Sequence, residues 1–145
     1  VSTEPAAEWL DDDACIARTN YFRVKDRDAF IAVLAPVAID IIFAPQDADL
    51  LCLVARGTQG WPYDYRDEYG LYANFDLFST LATHLADGQV AISMEVGGAR
   101  SRYAFGIAWA VNNLGKQRLV DLAHEILQKA EELGPDVGAL WESML

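Results

Sequence analysis

Cysteine, histidine and basic residues are all scarce in this chain of 145 residues. There are two cysteines and two histidines. Cys15 and Cys52 share no Cys-x-x-Cys spacing and stand beside no histidine. That excludes a zinc-ribbon ligand set and a redox dithiol, both of which need such clusters. No secretory leader is visible, so the two thiols are expected to be reduced and the protein cytoplasmic. Cys52 lies in an apolar run, where a free cysteine behaves as a small buried hydrophobe. Lysine and arginine together number 11 against 22 carboxylates, a net charge of −11. Nucleic acids and anionic lipids are bound by cations, so this balance argues against both as direct partners. No apolar run approaches the roughly 20 residues that cross a bilayer.

Hydrophobic residues make up 52% of the chain. That is enough for the core of one domain and too much for a disordered chain. The negative charge is uneven. Residues 1–76 hold fourteen acids and six bases, and residues 77–145 hold eight and five. Such a surface suits a basic protein partner, although solubility alone explains a net charge equally simply.

Ser2-Thr3-Glu4-Pro5 has the signature of a helix start, and residues 1–18 are expected as an N-terminal arm or short helix. Asp11-Asp12-Asp13 follows. Adjacent carboxylates diverge, so the triplet alone is no metal site. Thr19 to Lys25 alternates as a strand. Asp26 is placed to cap a helix from Arg27 to Ala35, which Pro36 ends. Val37 to Ala44 and Leu50 to Arg56 are apolar runs joined by turn residues, a hairpin within a buried sheet. Asp40 interrupts the first run and needs a partner if buried. Asn74 is expected to cap a helix from Phe75 to Ala86, with Leu77, Phe78, Leu81 and Leu85 as its apolar stripe. Lys116 to Val120 predicts a short strand. Asp121 caps a last helix, whose Leu122, Ala123, Ile126, Leu127, Ala130 and Leu133 are expected to face the core. Gly134-Pro135 ends it. The tail, residues 135–145, keeps Leu140, Trp141, Met144 and Leu145 at helical spacing. It is expected to dock on the domain or on a partner.

Gln89 to Asn112 predicts a β-hairpin turning at Gly97-Gly98, residues that tolerate positive φ. Val90, Ile92, Met94 and Val96 alternate with Ala91, Ser93 and Glu95. That turn sets Glu95 opposite Arg100, Ser93 opposite Arg102, and Val90 and Ile92 opposite Phe105 and Tyr103. The large residues are expected to pack on helices. The small face carries Ser93, Glu95, Arg100 and Arg102, a candidate anion-binding or interface cluster. An ordinary cross-strand ion pair also accounts for Glu95 and Arg100.

Gly57 to Asn74 is the most unusual segment. A strand is expected near residues 68–73, and the rest is a long aromatic loop, a length uncommon unless functional. Trp61, Tyr63, Tyr65, Arg66, Tyr69 and Tyr72 are the candidate partner-binding residues, because Trp, Tyr and Arg bury much area at low entropic cost. Some of these rings are equally suited to capping the core. His84 lies beside a core stripe and His124 on a polar helix face, so neither is assigned to catalysis. No phosphate loop, nucleophile elbow, zincin helix or dinucleotide fingerprint is present. No catalytic residue, cofactor or metal ligand is therefore expected.

The fold class is α+β: a single domain over residues 19–134, with an antiparallel sheet of about five to six strands and two or three helices on one face. The opening β-α-β-β-α-β order is compatible with a ferredoxin-like arrangement. Taken from the first long helix, with a strand near residues 68–73, the α-β-β-β-α-β-β-α order, the size and the acidity are similar to the small acidic secretion chaperones. That resemblance implies a homodimer without enzymatic activity that binds client chains. The leading expectation is thus a non-enzymatic, acidic, protein-binding homodimer. One alternative is an inhibitor or immunity protein that mimics nucleic-acid charge. Another is a small-molecule binder or enzyme with a pocket under residues 61–72, containing polar groups such as His84 or Arg102.

Overall fold

The computed structural model describes residues 14–99, 103–134 and 136–138. The N-terminal helix start, the Asp11-Asp12-Asp13 triplet, Arg100, Arg102 and residues 139–145 lie outside the described residues.

Among the described residues, eight strands and three helices follow one another. They are β1 (Cys15–Thr19), α1 (Arg27–Leu34), β2 (Ile39–Ala44), β3 (Asp47–Ala55), β4 (Asp64–Arg66) and β5 (Tyr72–Asn74). Then come α2 (Leu77–His84), β6 (Val90–Ala99), β7 (Tyr103–Asn112), β8 (Gln117–Asp121) and α3 (Leu122–Glu131). Six strands form one antiparallel sheet in the order β2-β3-β1-β6-β7-β8. β4 and β5 form a separate two-stranded hairpin. The fold is α+β. β3 lies between β1 and β2, and β6 lies on the other side of β1, the split β-α-β arrangement of ferredoxin-like proteins extended by two strands.

Local chemistry sets the helix starts. Asp26 accepts from the Ala29 N–H, Asp76 from that of Ser79, and Asp121 from those of Ala123 and His124. The cap of α2 is therefore Asp76 and not Asn74, because Asn74 is held in β5 opposite Asp64. β1 starts earlier than the Thr19–Lys25 pattern suggests, so the sheet begins inside the segment expected as an arm. Beyond Thr19 the Asn20 side chain carries on the ladder. Its Oδ1 accepts from the Ile92 N–H at 2.7 Å and its Nδ2 donates to the Val90 carbonyl at 3.1 Å. Asp40 is exposed and paired with Arg56 at 2.9 Å, so it carries no burial cost.

The core lies on the face of the sheet covered by α1 and α2. Phe22, Phe30, Leu34, Val37, Leu51, Leu53, Leu77, Leu81, Leu85, Trp109 and Val111 fill it. The Phe78 ring of α2 lies over Trp109 at 3.8 Å between centroids, and Phe30 meets Phe22 edge-on. α3 does not join this core: Leu122 and Ile126 are exposed, as is Leu133 just beyond it. Leu122 instead sits over Gly106 on the opposite face, 3.1 Å from where a Cβ there would lie. The expectation that the last helix faces the core is thus corrected.

The hairpin of β6 and β7 also departs from its expected register. Gly97 pairs with Phe105 and Ala99 with Tyr103, so both glycines lie inside β6. A Cβ at Gly97 would stand 2.6 Å from the Ala14 carbonyl oxygen and 2.7 Å from the Phe105 ring. Close approach of neighbouring chain, not a turn, requires glycine there.

Candidate functional site

The corrected register exchanges the two faces of the hairpin. Ser93 stands opposite Trp109, Glu95 opposite Ile107 and Ala91 opposite Val111. These pairs point into the core, where Ala91 and Ser93 are both 0% exposed. The larger side chains of β6 point the other way. Val90, Ile92, Met94 and Val96 are exposed by 43–54%. They lie beside Gly106, Ala108 and Ala110 of β7. Size explains the choice. Trp109 and Val111 fill the space on the core side, so only small residues fit next to them.

Ser93 is consequently no surface anion ligand. Its Oγ accepts from the Trp61 indole N–H at 2.6 Å. Glu95 faces Cys15, with Oε2 at 3.9 Å from the thiol. Burial, and next the Glu95 charge, push the Cys15 thiol up from its ordinary value. Gly60 closes this corner. It adopts φ +74°, and a Cβ there would lie 2.8 Å from Glu95 Oε2 and 2.9 Å from Cys15 Sγ. The corner is a joint between the sheet and the segment that leads to β4.

That joint divides the candidate partner-binding residues into two groups. Trp61 and Tyr65 are half-buried and pack against the core. Tyr63, Tyr69 and Tyr72 are 79%, 80% and 66% exposed, and Leu71 is exposed beside them. Arg66 organises the exposed group. Its guanidinium lies 4.3 Å over the Tyr72 ring, donates to the Tyr72 hydroxyl at 3.0 Å, and donates to the Gly70 carbonyl at 2.8 Å. Asp67 Oδ1 accepts from the backbone N–H groups of Tyr69 and Leu71, both at 2.9 Å. Gly70 takes the positive φ that the tight connection needs. The aromatic segment is therefore a braced hairpin and not an open loop. Asp64, Asp67 and Glu68 give it an acidic border.

The outer face of the sheet forms a second candidate surface. Ile16 and Arg18 of β1 share it with the exposed residues of β6, the small residues of β7, and Arg118 and Val120 of β8. The register sets them in rows: Ile16, Val96 and Gly106; Arg18, Met94, Ala108 and Val120; Ile92, Ala110 and Arg118. Among the described residues, two open depressions lie at this side of the sheet. One, of about 200 Å³, is lined by Met94, Val96, Gly106, Ile107, Ala108, Val120 and Leu122. The other, of about 250 Å³, is lined by Val90, Ala110, Val111, Asn112, Lys116 and Arg118. Neither is lined by residues 61–72. His84 packs its ring 5.5 Å from that of Phe30, and His124 is exposed near Gln128. Among the described residues, no three His, Cys, Asp or Glu side chains gather as a metal ion would need. None of the described helices is long and apolar enough to cross a membrane.

Comparison of the chain with protein-family models, with curated proteins and with solved structures gives no match.

Proposed function

We propose that this chain is a non-enzymatic, acidic protein-binding module of the cytoplasm, with the β4–β5 hairpin as its contact for a basic partner protein. One observation carries the reading. Tyr63, Tyr69, Leu71 and Tyr72 are exposed on a hairpin that Arg66 and Asp67 hold in one conformation. Large, exposed rings held in place lose little entropy on binding, which is what makes an aromatic residue an interface anchor. Asp64, Asp67 and Glu68 around the rings suit Lys and Arg side chains, which also stack on tyrosine faces. The net charge of −11 speeds encounter with such a surface at low salt. A client chain is the class of partner that the resemblance to acidic secretion chaperones implies.

The test begins with affinity capture from cells that make the protein, followed by titration calorimetry with the purified captured partner. Substituting Tyr69→Ala and Tyr72→Ala together is expected to weaken that binding by about a hundredfold or more, as loss of two anchors does. The melting temperature should hardly move, because both rings are exposed. Unchanged affinity in the double variant contradicts the proposal.

A further inference from the structure

Among the described residues, the outer face of the sheet is apolar, exposed beyond the Leu122–Gly106 corner and nearly free of charge. Its outward positions on β1, β6, β7 and β8 hold Arg18 and Arg118 but no carboxylate among the described residues. In a chain with 22 acids against 11 bases, that is where two copies could approach with least repulsion. Strand spacing of about 4.8 Å and a rise of about 3.3 Å per residue make the face roughly 20 Å on each side. The accessible area of such a corrugated face exceeds its projected area of about 400 Å², and approaches the roughly 800 Å² per partner of a stable interface. Monomers seldom leave so continuous an apolar surface in water.

The relief of the face identifies what covers it. Val90, Ile92, Met94 and Val96 make a ridge along β6. Ala108 and Ala110 make a trough along β7, directly beside it, and Leu122 covers Gly106 at its end. Val120 and Leu122 form the far wall of the trough, which opens into the 200 Å³ depression. A ridge next to a trough complements itself under one particular symmetry. A two-fold axis parallel to the strands, passing between β6 and β7, lays each ridge over the partner copy's trough. Row matches row where the trough is open: Met94 faces Ala108 of the partner subunit and Ile92 faces the partner's Ala110, while Leu122 closes the Gly106 end. The two arginines do not meet their own kind, because the axis sets β1 over β8. Two sheets so placed pack as an aligned sandwich about 10 Å apart.

We propose that the outer face of the sheet is the interface of a two-fold homodimer, with the β6 ridge of each copy seated in the β7 trough of the other. Sedimentation equilibrium tests it on the full chain. The wild type is expected at twice its 16.0 kDa mass at micromolar concentration. Ala108→Glu places a carboxylate in the trough and should give a folded 16.0 kDa species. Ala108→Leu separates this geometry from unspecific apolar association. It fills the trough, so it should weaken self-association by about tenfold or more, whereas unspecific association would be kept or strengthened. Position 108 points away from the core, and a cooperative melt for each variant shows that it folds. A monomeric wild type overturns the proposal and assigns the face to another protein or to residues 139–145. A dimer untouched by both substitutions overturns it too and moves the interface elsewhere. The Tyr69→Ala, Tyr72→Ala variant should stay dimeric, so loss of the hairpin's partner and loss of the dimer are separate results.

Discussion

The two sides of β6 carry the same kind of strand pattern and have opposite fates. Ala91 and Ser93 are fully buried, while Val90, Ile92, Met94 and Val96 face outward at 43–54% exposure. Burial was not awarded to the more hydrophobic side. It went to the side whose cross-strand neighbours, Trp109 and Val111, fill the space beneath α2. A strand is buried as part of a pair, and the volume of the pair decides which face turns inward. The outer side then keeps large side chains that the fold itself does not cover. The core side explains stability and the outer side points to association.

The strongest way to break that contrast is to empty the core side. Trp109→Ala removes the ring that lies on Phe78, and should cost about 3–5 kcal/mol in chemical denaturation. A cost under about 1 kcal/mol would show that Trp109 does not fill the core. A matched pair of substitutions sharpens the contrast. Ala91→Leu overfills the core side and should cost about 1–3 kcal/mol. Ala108→Leu adds the same atoms on the outer side, and should change monomer unfolding by about 0.5 kcal/mol or less when measured at high dilution. Equal costs would mean that the two sides are not different environments.

The smallest effect lies outside the contrast, at the turn between β2 and β3. The hydrogen bond from Arg23, at 2.7 Å, holds the Asp47 carboxyl below its usual range. A lowered folded-state pKa stabilises the fold above the ordinary carboxylate value of about 3.9, and that contribution is lost as pH falls through the folded value. Asp47→Asn should therefore be slightly less stable than the wild type at neutral pH. The difference should vanish on acidification. The pair is solvent-exposed, so the effect is small and salt-sensitive. A difference that grows as pH falls would contradict the pairing.

Much of the fold was legible in the sequence. Asp26 and Asp121 marked their helices, and Leu77, Leu81 and Leu85 marked the face of α2 that is buried. The β2–β3 hairpin followed from two apolar runs. What misled was Gly97-Gly98. Glycine serves a tight turn and a close approach equally well, and only the positions of Ala14 and Phe105 decide between them. Placing the turn there shifted the register by an odd number of residues and so exchanged the faces. One signal for the correct register was present. Large residues alternate with small ones in both strands, and pairing large with small on each face packs better than large with large. Of the aromatic segment, its prominence was legible, but its division was not. Trp61 and Tyr65 point to the core because Ser93 offers an acceptor and the sheet offers a surface, and neither neighbour is close in sequence. The outer-face surface was missed for the same reason as the register.

Thiol labelling of two adjacent positions tests the central claim most directly. Ser93→Cys and Ile92→Cys place one reporter on each side of β6, above a background set by the buried Cys15 and Cys52. Cysteine at position 93 should stay protected at every protein concentration until the fold melts. Cysteine at position 92 should react quickly in dilute solution and become protected as the concentration rises and the faces pair. Rapid labelling at position 93, or labelling at position 92 that is fast at all concentrations, would contradict the account.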